Sequence, residues 1–188
     1  GMNEVGLNAK WLRADLTHEK TQKFAQEVLD HMRERLSDYQ EAYGDLYNLE
    51  ATPAESTTYR FAKHDKKHYP DIITANENGT PYYTNSSHLP VGYTEDIFTA
   101  LEIQDELQTR YTSGTVFHAF LGEKLPDWKA AAALVRKIAE NPKLPYYTMS
   151  PTYSVCADHG YLTGEQYTCP HCGKKCEVYS RITGYYRP

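Results

Sequence analysis

The sequence has little of what an ordinary protein core is built from. Leucine, isoleucine, valine and phenylalanine together make up 33 of the 188 residues, below the roughly 20% that marks many disordered chains. The net charge of −5 is modest, which argues against disorder. Seventeen tyrosines add apolar surface, because each carries a large ring with a polar tip. These features predict one domain of ordinary size with a thin core that docks against something larger.

Other absences exclude whole classes of partner and chemistry. The sequence has no basic stripe and a pI of about 5.9, so nucleic acid is not expected as a partner. No apolar run approaches the roughly 20 residues that span a bilayer, so no membrane partner is expected either. Gly-x-Ser-x-Gly, P-loop and dinucleotide-binding motifs are also missing. An independent enzyme of a common class is therefore disfavoured.

Cysteine is absent from the first 155 residues, and all four cysteines lie between positions 156 and 176. They form two short patterns, Cys156-Ala-Asp-His159-Gly160 and Cys169-Pro-His-Cys172-Gly173, with Cys176 close behind. Cys-x2-His and Cys-x2-Cys spacing allows two side chains of a tight turn to reach one tetrahedral ion. A glycine after the second ligand relieves the backbone strain of such a turn. The pattern predicts a zinc ribbon with a structural zinc ion.

Other uses of these cysteines are less favoured. Disulfides are disfavoured because nothing resembling a signal peptide precedes them and cytosolic thiols stay reduced. A redox Cys-x-x-Cys pair normally opens a helix, whereas Pro170 and Gly173 favour a turn between strands. The spacing also lacks the rhythm of iron–sulfur ligands. The fourth zinc ligand remains open, because the symmetry of the two turns favours His159 and a preference for thiolate favours Cys176.

Helical and strand patterns alternate along the rest of the chain. Helices are predicted at 17–43, 53–66, 95–107 and 127–141, the first capped by Thr17 and stopped by Gly44. Strands are predicted at 46–49, 115–121, 144–155, 161–167 and 177–186. The order predicts an α/β layer arrangement followed by a β-rich zinc-ribbon segment.

The second helix has a strong start signal. Thr52 and Glu55 form a capping box, and Pro53 suits the first helical position. Free N–H groups at such a start, over Thr52, Ala54, Glu55, Ser56 and Thr57, could bind an anion. On these residues alone an ordinary capped helix is favoured over phosphate binding.

Two histidine patterns are weaker candidates for chemistry. His64 and His68 have the i,i+4 spacing of a metal pair, but a solvated helix end is the favoured interpretation. His88 lies in a polar loop from which it could contact a ligand.

Several ordered motifs together resemble one known family. They are NLEATPAESTTYRFA at 48–62, YYTNSSHLPVGY at 82–93, CPHC at 169–172 and EVYSRITGYYRP at 177–188. Together they resemble the C-terminal third of anaerobic (class III, glycyl-radical) ribonucleoside-triphosphate reductases, over nearly the whole chain.

The resemblance implies a fold and an activity. These enzymes are α/β barrels of two halves that reduce ribonucleoside triphosphates for DNA precursor synthesis, in the anaerobic cytoplasm and as dimers. An activase of the radical S-adenosylmethionine class installs a glycyl radical, which generates a thiyl radical on a barrel cysteine. Formate or a thioredoxin-like system supplies the electrons. The resemblance further implies that residues 52–57 hold substrate phosphates and that the zinc supports the glycyl-radical segment.

Two departures from the family qualify this expectation. The glycyl-radical motif would follow Pro188, and the thiyl cysteine would precede Gly1, so neither is found in these 188 residues. We therefore expect a partial barrel over 1–149 and a zinc-ribbon segment over 150–188, inactive alone. The alternative is a non-catalytic zinc-ribbon module that docks a partner, such as a complementary reductase fragment.

Overall fold

The computed structural model describes residues 1–53, 55–90, 93–94, 96–121, 125–182 and 185–187. The chain is a mixed α/β protein, as predicted. In order, the elements are α1 Met2–Asn8, α2 Glu19–Tyr43, α3 Glu55–His68, α4 Ile97–Gln108, β1 Phe117–Leu121, α5 Trp128–Glu140, β2 Tyr147–Pro151, β3 Tyr153–Cys156, β4 Gly160–Thr163, β5 Glu177–Ile182 and β6 Tyr185–Arg187. They form two compact units, one of Gly1–Val116 with Lys143–Pro145 and one of Phe117–Pro142 with Tyr146–Pro188.

The first unit contains α1 to α4 around a small apolar core. Its buried members come from α2, α4 and the segments beside them: Leu16, Ala25, Leu29, Leu49 and Leu107. Met2, Leu36, Leu89 and Tyr111 pack against this cluster and are partly buried. Leu12, Ala14 and Leu101 of the same unit are buried as well.

A chain of buried polar side chains extends this core. The side-chain amide of Gln104 donates to the carbonyl of Ser87 (3.1 Å), and Gln108 donates to Gln104 Oε1 (3.0 Å). Thr115 Oγ1 donates in turn to Gln108 Oε1 (3.2 Å). Because buried polar groups need partners, these bonds allow α4 to face the interior with two glutamines.

The predicted boundaries of α2 are correct at one end and wrong at the other. Gly44 terminates the helix with φ of 75°, and its N–H donates to the carbonyl of Gln40. The left-handed conformation is why glycine is favoured there. Thr17 does not cap the helix, since His18 is the N-cap and the Thr17 hydroxyl instead donates to Asp15 Oδ1 at 2.5 Å.

The strand predicted at 46–49 is absent, and the segment is irregular. Leu46 is exposed, while the Leu49 carbonyl accepts from the N–H groups of Thr112 and Ser113. The backbone of Leu49 thus bonds to a loop instead of to a neighbouring strand. Two apolar residues in a short run were therefore insufficient to specify a strand.

The start of α3 is later than the capping box predicted. The helix begins at Glu55, so Pro53 precedes it instead of occupying its first position. Ala54 and the side chain of Glu55 lie outside the described part of the chain. Other cap positions are clear, because Asp96 accepts from the N–H groups of Phe98 and Thr99, and Asp127 accepts from that of Ala130.

The second unit has two small sheets. Strands β1 and β2 are parallel, with Phe117 opposite Tyr147, and α5 connects them in a βαβ arrangement. Strands β4, β3, β5 and β6 form an antiparallel sheet in that order. The β3–β4 hairpin and the loop before β5 carry the cysteines. Within the described residues, no helix combines the length and apolar character needed to cross a membrane.

Candidate metal centre

The first cysteine turn is the tip of the β3–β4 hairpin. Cys156 ends β3 and is paired with Gly160, the first residue of β4. Residues 157–159 make the turn between them, and His159 is its last residue. Gly160 has φ of 69°, the left-handed conformation that commonly completes a three-residue hairpin loop. Cys156 and His159 are therefore held at one end of the sheet.

The second turn is closed by its own backbone. The N–H of Cys169 donates to the carbonyl of Lys174 (2.8 Å), and the N–H of Gly173 donates to that of Cys169 (2.9 Å). A bridge between Thr168 and Lys175 aligns the two arms. The N–H of His171 points at Cys169 Sγ (3.4 Å), an interaction that stabilises a thiolate. Gly173 has φ of 71°, so glycine is favoured at this bend.

The two turns bring four of the five predicted ligands together. The Sγ atoms of Cys156, Cys169 and Cys172 and one ring nitrogen of His159 all lie within 4.8 Å of one another. The Cys156 and Cys172 sulfurs are 3.6 Å apart, and His159 Nδ1 is 3.7 Å from the sulfurs of both Cys156 and Cys169. This cluster, Cys156–His159–Cys169–Cys172, could hold a metal ion.

The fifth predicted ligand, Cys176, lies beside the cluster. It is buried in an apolar group with Cys156, Leu162 and Cys169. Its sulfur faces the carbonyl of Lys174 at 3.8 Å, and its N–H donates to that of Tyr167. The geometry thus groups His159 with the three other cysteines and places Cys176 in the packing around them.

The thiols of the cluster region differ in acidity. A hydrogen bond to the His159 ring, helped by the backbone N–H of Asp158, lowers the pKa of Cys156 to about 6. Burial raises the pKa of Cys176, and the nearby Cys156 and Cys169 raise it further. The backbone N–H of Lys174 lowers the pKa of Cys172, but burial and the nearby Cys169 and Cys156 leave that pKa raised as well. Acidity therefore does not separate Cys176 from the cluster, because a bound metal ion itself deprotonates a coordinating thiol.

Neighbouring side chains that the sequence pattern did not indicate also join the two turns. Asp158 of the first turn forms an ion pair with Lys174 of the second, with Nζ and Oδ2 2.5 Å apart. The rings of His159 and His171 are in contact, their centroids 5.3 Å apart. The opposite charges beside His159 and Gly173 were visible in the sequence, but their proximity follows from the fold.

The residues predicted to bind phosphate lie at and before the start of α3. Thr52, Ser56 and Thr57 are exposed, and Ala54 and the Glu55 side chain lie outside the described part. The phosphate assignment for Thr52, Ala54, Glu55, Ser56 and Thr57 stays a prediction.

The three candidate histidines contact each other or backbone carbonyl groups. His64 and His68 are exposed with stacked rings whose centroids are 6.3 Å apart, and His68 Nδ1 contacts the carbonyl of His64. Both nitrogens of His88 face carbonyl oxygens, Nε2 that of Val116 (2.8 Å) and Nδ1 that of Asn85 (3.1 Å). His88 therefore ties its loop to the segment that precedes β1.

Comparison with known proteins identifies the family. The sequence model of the anaerobic ribonucleoside-triphosphate reductase family matches residues 1–188. The Haemophilus influenzae reductase of that name is 25% identical over 84% of this chain and 23% of its own length. The enterobacteria phage T4 reductase is 26% identical over 85% of this chain and 27% of its own.

Solved structures agree with the sequence relatives. The Thermotoga maritima anaerobic ribonucleotide reductase, solved with MES in its active site, superposes with a TM-score of 0.69 and 26% identity. The alignment covers 90% of this chain and 27% of that one. The chain thus spans about a quarter of the length of the relatives it matches. The match over every residue shows that this chain belongs to the anaerobic ribonucleoside-triphosphate reductase family.

Proposed function

We propose that this chain provides the C-terminal region, with its metal centre and a phosphate-binding turn, of an anaerobic ribonucleoside-triphosphate reductase. The family match over residues 1–188 carries the proposal. It favours this role over that of an unrelated zinc-ribbon binding module, because the likeness extends far beyond the cysteine turns. The whole enzyme would reduce ribonucleoside triphosphates to deoxyribonucleotides by radical chemistry in the anaerobic cytoplasm.

The metal is proposed to be a structural zinc ion. Zinc ligands stand about 2.0–2.3 Å from the ion, so donors at the corners of a tetrahedron are about 3.5–3.8 Å apart. The separations of 3.6 and 3.7 Å between the sulfurs and His159 Nδ1 fit this arrangement. Cys156, His159, Cys169 and Cys172 would hold the ion, and Cys176 would pack behind them. When bound, zinc would cross-link the two turns, and its four protein ligands would leave no open coordination position for catalysis.

The two small sheets support the larger architecture that the family implies. Parallel strands are normally buried in sheets with helices on their faces. A parallel pair of two strands, β1 and β2, is therefore suited to be part of a larger sheet. In the proposed arrangement residues 1–149 belong to a reductase barrel, and residues 150–188 form the zinc ribbon.

The start of α3 is proposed to bind the substrate phosphates through residues 52 and 54–57. The first N–H groups of a helix have no intrahelical partners and lie at the positive end of its dipole. Ser56 and Thr57 are exposed in the first turn and add hydroxyl donors. Triphosphate binding there would orient the nucleotide without supplying a reacting group.

The radical chemistry is proposed to depend on other polypeptide segments. All four cysteines of the 188 residues lie in or beside the metal cluster, so a thiyl cysteine would come from elsewhere. The radical glycine and its activase would likewise act outside these residues. The partners would be the complementary part of a reductase, in the same chain or another, and a second subunit.

Two measurements test the proposal. The chain alone, mixed with activase, formate and ribonucleoside triphosphate, should form no deoxynucleotide. Formation of deoxynucleotide would contradict the expectation that these residues lack the radical groups. Titration with a ribonucleoside triphosphate should shift the amide resonances of residues 55–57 in an NMR spectrum. If no such shifts occur at millimolar nucleotide, the phosphate assignment is contradicted. An unrelated zinc-ribbon module that does not bind nucleotide would give that result.

A further inference from the structure

Helix α2 extends beyond the core that its first half builds. Ala25 and Leu29 are buried, and Leu36 packs against the core from its edge. Met32, Tyr39 and Tyr43 are 43%, 38% and 68% exposed. Residues 30–43 add about 21 Å of helix at 1.5 Å per residue. Most helical stability in proteins comes from packing of an apolar face, and in this half of α2 that face is largely exposed.

The apolar residues of this half of α2 form a narrow stripe. Met32, Leu36, Tyr39 and Tyr43, the α2 stripe, follow each other at spacings of four, three and four. They continue the buried positions Ala25 and Leu29, so one seam with a seven-residue period runs along the helix. Such a seam is narrower than the apolar face that packs on a sheet, and it fits a single helix.

Aromatic contacts widen the outer end of the stripe. The Tyr39 ring contacts those of Tyr43 and Tyr47, with centroid separations of 6.1 and 6.0 Å. Leu46 follows Gly44 and is 96% exposed. The outer end of α2 therefore presents rings and a leucine side chain to solvent, and burial of apolar area would stabilise a complex there.

The charges beside the stripe select its partner. The flanking positions next to the seam are Arg33, Arg35, Gln40 and Ala42, whereas Glu34, Asp38 and Glu41 project from the other side of the helix. Arg35 pairs with Asp38 (2.7 Å), but both side chains are about half exposed, so the pair is weak. Flanking charges determine which helices associate along such seams.

We propose that the α2 stripe docks an amphipathic α-helix of a partner protein whose apolar seam is flanked by aspartate or glutamate. Acidic flanks would face Arg33 and Arg35 and be neutralised by them. A second copy of this chain would instead bring two arginines from each helix to one seam with no acidic flank to match them. Charge complementarity therefore favours the acidic helix over self-association.

The test uses the full zinc-loaded chain and two labelled synthetic peptides. Both are three-heptad helices with leucine along the seam, one with glutamate and one with lysine at the flanking positions. Fluorescence anisotropy should show saturable binding of the glutamate peptide, at least about tenfold tighter than the lysine peptide, which corresponds to about 1.4 kcal/mol. Added salt should weaken the glutamate complex, because exposed charges are screened.

Matched variants locate the binding surface. Tyr39→Ser and Met32→Ser should each weaken the glutamate peptide about tenfold or more, and Glu34→Ser, on the outward side, should leave it unchanged. Circular dichroism melting verifies that each variant remains folded. Equal affinity for both peptides, or no saturable binding, overturns the proposal. So does a dimer in light scattering that Tyr39→Ser dissociates, because the occupant would then be a second copy.

Discussion

The centre of the first unit and the surroundings of the metal cluster bury very different groups. In the first unit, five aliphatic side chains from helices and their flanking segments form the centre. Around the metal cluster, three of the four members of the buried group are cysteines, and Leu162 is the fourth. A centre of this kind cannot hold its strands by apolar burial alone. The difference predicts that the strands around the cluster depend on a metal ion for their stability, while the first unit folds by apolar packing.

The largest effect is expected from Cys169→Ser, or from removal of the metal by a chelator. Either should unfold residues 150–186 and leave the helices of the first unit intact, because metal-binding energy is folding energy in such sites, on the order of 10 kcal/mol. Hydrogen exchange followed by residue measures both regions at once. An unchanged melting profile, or simultaneous loss of both regions, would contradict the separation.

The two candidates for the fourth ligand give the next largest contrast. His159→Ala should lower zinc affinity at least about tenfold, because a ligand is lost. Cys176→Ala should retain zinc and lower stability by only about 1 kcal/mol, as expected for a small buried side chain. Competition with a chromogenic chelator measures both affinities. The opposite ranking would assign Cys176 as the ligand.

Leu107→Ala tests the apolar core of the first unit. Leu107 is fully buried, so truncation should lower the free energy of unfolding by about 2–5 kcal/mol. Leu46→Ala, the same change at an exposed position, should have almost no effect. Urea unfolding followed by helical circular dichroism gives both values. Zinc content should remain unchanged, and its loss would mean that the two regions depend on each other.

The smallest expected effect concerns pH. Burial lowers the pKa of His88, against the opposing effect of the Val116 and Asn85 carbonyls. A lowered pKa in the folded state means that the unfolded chain binds the proton more readily, so stability is present above about pH 6.5 and falls as pH decreases below it. Between pH 7 and pH 5 the first unit should lose a few degrees in melting temperature. His88→Gln should reduce that loss, and an equal loss in this variant would contradict the role of His88.

Local signals in the sequence predicted the parts of the structure that local geometry controls. Gly44 was a reliable stop because few other residues adopt its left-handed conformation. The cysteine turns were recognisable because ligand spacing is a property of a few consecutive residues. The strand prediction at 46–49 failed because the backbone of Leu49 bonds to Thr112 and Ser113, partners that spacing does not reveal. The cap prediction at Thr17 failed because its hydroxyl donates to Asp15 instead of capping the helix.

Features that depend on residues distant in the sequence could not be predicted from it. The parallel pairing of β1 with β2 joins residues about 30 positions apart. The ion pair between Asp158 and Lys174 requires the two turns to be adjacent. The burial of Gln104 and Gln108 contradicts the usual location of glutamine, and only the assembled helices show which polar partners they meet.

The glutamines of α4 also determine how that helix can be rotated. Gln104 and Gln108 are one helical turn apart, and each bond in the chain from Ser87 to Thr115 requires the same angular setting of α4. Rotation by one residue would leave both amides unpaired in the interior, at about 1–3 kcal/mol each. An aliphatic face would tolerate such slippage far better. The polar chain therefore fixes the rotational setting of α4, and it couples the position of the loop around Ser87 to the orientation of that helix.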